Sequence, residues 1–190
     1  MSSIEEDLRT WSREVLEVPN QSLKGLSACP YAKEAWKKDK VLVVETDDVY
    51  ADSLRYCSDF TTTGKELVVV ASYNIPKLNK FNKYVQNLNI LFENLHCMEF
   101  HPDYGAEDAE LDFLYDNDWE SSVNQPYCMI FIQDLKQVVH ASDKLQRLGY
   151  YDVYPEDEYE ELVVNRKRRL TDGYETSFYE EKTDGNEARW

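Results

Sequence analysis

Apolar residues along this chain fall into two recurring patterns, stretches with helical spacing and short unbroken runs, and their alternation predicts helices interleaved with buried strands. Ser3-Ile4-Glu5-Glu6 has the form of a capping box, and Ile4, Leu8, Trp11 and Val15 then recur on one helical face as far as the Val18-Pro19 break. Pro30 suits a first helical position, which makes Cys29 the candidate N-cap of a short helix reaching about Lys38. Val41 to Val44 reads as a buried strand. Asp47 or Asp48 can cap the next helix, with Val49, Leu54 and Cys57 inward, and Leu67 to Ala71 forms a second strand, completing a β-α-β unit. From Pro76 the positions Leu78, Phe81, Val85, Leu88, Phe92 and Leu95 follow a 3,4,3,4,3 spacing that lines one helix face. A third strand is expected over about 96–101 and a fourth from Tyr127 to Ile132. The helix after it carries Leu135, Val138, Val139 and Leu145, with Gly149 where a C-cap is wanted. A last short helix starts near Pro155. The expectation is a single α/β domain over residues 1–165, about four strands in a mixed sheet with packed helices, followed by a polar, flexible C-terminal tail over 166–190 that opens with Arg166-Lys167-Arg168-Arg169.

Charge changes this picture by being uneven. The 190 residues carry a formal −16, yet the first 83 are nearly balanced. Residues 84–135 hold eleven carboxylates and no Lys or Arg. Such a field disfavours direct binding of nucleic-acid phosphates or an anionic membrane surface and favours cationic partners. No apolar run approaches the roughly 20 residues of a membrane span. Met1 to Glu6 has neither a basic start nor an apolar core, so a cytoplasmic location is the default expectation. Cys29, Cys57, Cys97 and Cys128 form no Cys-x-x-Cys pair, which argues against a zinc knuckle, and free thiols are expected. No metal site and no cofactor can be named.

Two positions carry candidate chemistry. A cysteine at a helix N-terminus meets unpaired N–H groups and the positive end of the helix dipole, which favour thiolate, and Cys29 alone is so placed. His101 ends a predicted strand two residues before Asp103, at the mouth of a long loop, where it could act as an oriented base or a ligand. The plainer alternatives are a small capping residue for Cys29 and a turn built by Pro102 and Asp103 for His101.

The turn Cys29-Pro30-Tyr31-Ala32 resembles the glutaredoxin active-site turn, with Ala32 in place of the second cysteine; no strand precedes it, and a helix follows Pro76 where that fold needs a strand. A wider resemblance comes from three ordered motifs, Cys29-Pro30-Tyr31-Ala32, Phe100-His101-Pro102-Asp103-Tyr104 and Asn124-Gln125-Pro126-Tyr127. They are similar to the Cys-Pro-Phe-Ala, Phe-His-Pro-x-Tyr and Asn-Arg-Ser-Pro-Tyr-Pro motifs of an uncharacterised bacterial family known as a domain of unknown function, over roughly residues 8–165. The resemblance implies a shared fold and a shared site around the matching positions. The family's arginine in the third motif is absent here, and with it a bidentate partner for an anion.

Two functions are therefore carried forward. In an enzyme or redox protein, Cys29 is nucleophile or ligand, His101 base or second ligand, Asp103 its orienting group, and Tyr31, Tyr104, Asn124 and Tyr127 polar ligand-binding neighbours, with a small molecule as substrate. In an acidic interaction module, a basic protein partner binds the loop 102–125, whose carboxylates are interspersed with Tyr104, Phe113, Tyr115 and Trp119. Within it Asp108-Ala109-Glu110-Leu111-Asp112 lacks the central glycine and the terminal glutamate of an EF-hand calcium loop.

Overall fold

Four apolar runs form the strands β1 (Val41–Glu45), β2 (Leu67–Ser72), β3 (Leu95–Phe100) and β4 (Cys128–Asp134). They make one sheet in the order β1-β2-β4-β3. β1 and β2 are parallel, while β4 runs antiparallel to both β2 and β3, so the sheet is mixed. The computed structural model describes residues 3–103, 121–123 and 127–172; the acidic stretch 104–120 and residues 173–190 lie outside them.

Side chains alternate across each strand, and both faces are apolar, so each must be covered by helices. On one face Val68, Val70, Cys97, Cys128, Ile130 and Ile132 pack against Val49 and Cys57 of α3 (Val49–Ser58) and Phe81, Val85 and Leu88 of α4 (Leu78–Leu91). On the other face Val41, Val69, Ala71, Met129 and Phe131 meet Ile4 and Leu8 of α1 (Ile4–Trp11), with Ala35 and Trp36 of α2 (Ala32–Lys37) beside them. This same face carries α5 (Leu135–Arg147), then α6 (Glu156–Tyr159) and α7 (Asn165–Asp172). The result is α/β, three layers deep. None of the described helices is long and apolar enough to cross a membrane.

Local signals account for most boundaries. The Ser3–Glu6 capping box is formed in both directions, Asp48 caps α3 by accepting from the N–H groups of Tyr50 and Ala51, and Gly149 takes the left-handed conformation, φ 74°, after α5. Four boundaries differ from expectation. The first helix is α-helical only to Trp11 and continues as a π-helix over Ser12–Leu16. α4 starts at Leu78 and ends at Leu91, so Leu95, on the predicted helix face, is instead the first residue of β3. β4 reaches Asp134, because Asp134 both ends the ladder and caps α5 through the Gln137 N–H. The chain also stays helical through Asp172, so the boundary expected at Arg166 falls inside ordered structure. Spacing is the reason: Arg166 and Arg169, three apart, turn inward to Met98 and to His96, while Lys167 and Arg168 pair outward with Asp143 and Glu160.

The outer edge of β3 is closed by side chains. The Asn89 amide donates to the Cys97 carbonyl at 2.8 Å and its oxygen accepts from the Cys97 N–H at 2.9 Å, and the Arg169 guanidinium donates to the Leu95 carbonyl at 2.9 Å. Removing a partner from a buried backbone group costs about 1–3 kcal/mol, and Asn89 serves two. Asn89→Ala is therefore expected to lower unfolding free energy by about 2–4 kcal/mol in urea titration with an unchanged slope; a loss below about 0.5 kcal/mol would show that the edge is satisfied in some other way.

Candidate functional site

Because β1, β2 and β3 run one way and β4 the other, Glu45, Ser72, Phe100 and Cys128 all lie at one end of the sheet, as the pairs Glu45–Ala71, Ser72–Cys128 and Phe100–Met129 require. Three loops meet there. Thr46 to Asp48 leads into α3, Tyr73 to Lys77 into α4, and the long connection from His101 returns at Tyr127. In open α/β sheets this end is where ligands bind, since loops rather than ladders supply the free polar groups.

The first two loops are tied together. Asn74 donates its amide to the Asp47 carbonyl at 2.9 Å. The Thr46 hydroxyl donates to Asp52 at 2.5 Å and accepts from the Asp48 N–H at 3.0 Å. Between the loops opens a crevice of about 540 Å³ walled by Asp47, Asp48, Tyr50, Tyr73 and Asn74, with Ile75 and Pro76 as its apolar side. No basic side chain lines it. Burial pushes the Tyr50 phenol up, with the Asp48 charge adding to it, and burial raises that of Tyr73 with help from Glu45 and Asp7. Burial is the larger cause of both shifts, and the neighbouring carboxylates add to it.

His101 sits beside this crevice without opening into it. Its side chain is fully buried against Phe81, with ring centroids 5.6 Å apart. Nε2 donates to the Pro76 carbonyl at 2.8 Å and Nδ1 accepts from the Asp103 N–H at 3.1 Å. One neutral tautomer satisfies both bonds. The ring thus fastens the exit of β3 to the β2–α4 loop, and the exposed Asp103 carboxylate, 3.7 Å from Nδ1, is held by its main chain rather than orienting a base. Tyr127 lies on the other face, buried among Ile4, Leu8 and Met129 and edge-on to Tyr73 at 5.8 Å. Tyr104 and Asn124 lie outside the described residues.

Cys29 is placed apart from all of these. α2 begins at Ala32 with Tyr31 as its cap residue, so Cys29 is not the N-cap; its carbonyl accepts from the Ala32 N–H at 3.1 Å and its own N–H donates to Leu16 at 2.9 Å. The sulfur does meet the N–H groups of Tyr31 and Ala32, but burial outweighs them and pushes the thiol up, with the Glu17 charge adding to the rise. Tyr31 is exposed. Cys29 belongs to the α1–α2 face and His101 to the α3–α4 face, so the sheet separates the expected nucleophile from the expected base.

Among the described residues no three His, Cys, Asp or Glu side chains converge as a metal site. A second groove of about 380 Å³, between α1 and α2, has Arg9, Arg13, Lys33 and Lys37 around Trp36. Glu6 and Glu17 share it, and Arg9 already covers the Trp36 ring at 4.3 Å. Sequence reasoning missed the 540 Å³ crevice, although Thr46-Asp47-Asp48 and Tyr73-Asn74 follow the two predicted strands of a β-α-β unit, where that rule points. Comparison with protein-family models, curated proteins and solved structures finds no match to this chain.

Two titrations follow from these surroundings. Cys29 should alkylate with an apparent pKa above that of an unperturbed thiol, about 8.5; a value below it in an iodoacetamide rate profile would contradict the burial. Tyr127 has a folded-state pKa raised to about 12 from 10, mainly by burial. The Tyr127 contribution to stability is therefore intact below pH of about 10 and is lost progressively toward about 12. Tyr127→Phe should lessen that alkaline loss in urea titrations; equal losses in variant and parent would refute the assignment.

Proposed function

We propose that this chain is an acidic recognition protein that takes the lysine or arginine side chains of a basic partner into the crevice at the carboxyl ends of β1 and β2. The observation that carries the reading is the lining: two carboxylates, two tyrosine rings and an apolar wall, with no basic side chain. An ammonium or guanidinium group complements all three features, through charge-assisted hydrogen bonds to Asp47 and the free oxygen of Asp48, cation–π contact with Tyr50 or Tyr73, and packing of its alkyl stem on Ile75 and Pro76. Tyr73 is 45% and Ile75 39% exposed, leaving apolar surface for a partner to cover.

The loop 102–125 enlarges this surface in the proposal. His101 ties its start to Pro76 at the crevice wall, and Ser121 and Ser122 tie its far end to Glu14, whose carboxylate accepts three hydrogen bonds of 2.7–2.8 Å. Residues 102–125 carry eight carboxylates in sequence, and their first described members begin at the crevice wall through His101. Chemistry through Cys29 and His101 gains no support, since burial raises the thiol and both ring nitrogens are engaged.

An oligoarginine peptide titrated into labelled protein should move the amide signals of Asp47, Tyr73 and Asn74, with affinity falling as salt rises. Asp47→Asn combined with Tyr73→Ala should weaken binding about tenfold or more, some 1.4 kcal/mol, whereas Cys29→Ser should bind as the parent does. Shifts confined to other surfaces, or a double variant that binds normally, would overturn the reading.

A further inference from the structure

The two edges of the sheet are treated differently. At β3 the outward backbone groups of Leu95 and Cys97 are taken up by Arg169 and Asn89. At β1 the carbonyl of Lys40 and the N–H of Thr46 bond to β2, so even-numbered residues face inward and the N–H and C=O groups of Val41, Val43 and Glu45 face outward. Among the described residues nothing bonds to those outward groups. Proteins blunt a bare edge with proline, inward charge, a bulge or a covering element; Val41-Leu42-Val43-Val44 has none within it. Leu42, Val43 and Val44 are only half-buried, whereas Val68, Val69 and Val70 of β2 are at most 1% exposed.

We infer that two copies of this chain join antiparallel through their β1 edges, making one continuous eight-stranded sheet across a two-fold axis. Outward residues must oppose outward residues, and the symmetric register that pairs all three of them sets Val43 opposite Val43 of the other copy and Val41 opposite Glu45. Charge argues for a second copy as the occupant. The start of β1 carries Lys37, Lys38, Lys40 and Lys65, only partly balanced by Glu34, Asp39 and Glu66, and its end carries Glu45, Asp47 and Asp48. The two-fold lays each basic end along the other copy's acidic end, a match the edge makes with itself and with no uniformly charged strand. The net −16 opposes approach, but at physiological ionic strength repulsion is screened beyond about 8 Å.

Sedimentation velocity of the full chain at physiological salt should give twice the 22.4 kDa chain mass. Val43→Pro removes an N–H that points away from β2, so every ladder bond within the chain survives; it should sediment as a monomer with an unchanged far-ultraviolet spectrum. Glu45→Lys, at an exposed side chain, should raise the dimer dissociation constant about tenfold or more and decides the matter should the proline variant fail to fold. A monomeric parent, as an extended segment of another protein on this edge would leave it, overturns the inference. So does a Glu45→Lys dimer as tight as the parent's.

Discussion

Everything in this molecule is arranged around β2 and β4, which are covered on both faces and flanked on both sides. From Val68 to Ser72 each β2 residue is at most 1% exposed, and Cys128, Ile130 and Ile132 of β4 are fully buried. Each large aliphatic side chain so placed contributes about 1.5–3 kcal/mol, but only while both helical layers stay in position. The same condition bars unpaired polar groups from the middle of the strands. Chemistry is thereby pushed to the ends of the sheet. Cys29 and His101 lie on the sheet's two sides, the one beside Leu16 and α2 and the other against Phe81 of α4.

The elements were largely legible because they depend on local information. Unbroken valine and isoleucine runs fit strands buried on two sides, 3.6-residue spacing marked α1, α4 and α5, and the caps at Ser3, Asp48 and Gly149 use short-range bonds. The site was much less so. A cysteine just before a helix looks activated in sequence, since the dipole is local and the depth of burial is not. The bond from His101 to the Pro76 carbonyl spans 25 residues and turns an apparent base into a fastener. The crevice itself depends on strand direction: only when β1 and β2 are known to be parallel neighbours do Asp47 and Asn74 become adjacent.

The basic quartet illustrates the same limit. Read linearly, Arg166 to Arg169 is a charged, solvated run. In the helix its first and last members point to the sheet, where burial, together with Arg166 and Arg169, depresses the His96 imidazole and leaves it a neutral acceptor for Arg169. Cations that might have softened the negative field are thereby committed to holding the C-terminal helix on β3.

The cysteines have a practical meaning. All four thiols are free, and Cys57 and Cys97 touch at 3.7 Å between α3 and β3, deep under the α3–α4 layer. Cys128 lies at the mouth of the same layer, against Ser72 and Asn74, and Cys29 in the opposite one. The chain therefore carries its own depth gauge. The order in which its sulfurs meet a small reagent records which layer lifts first, with no label needing to be introduced.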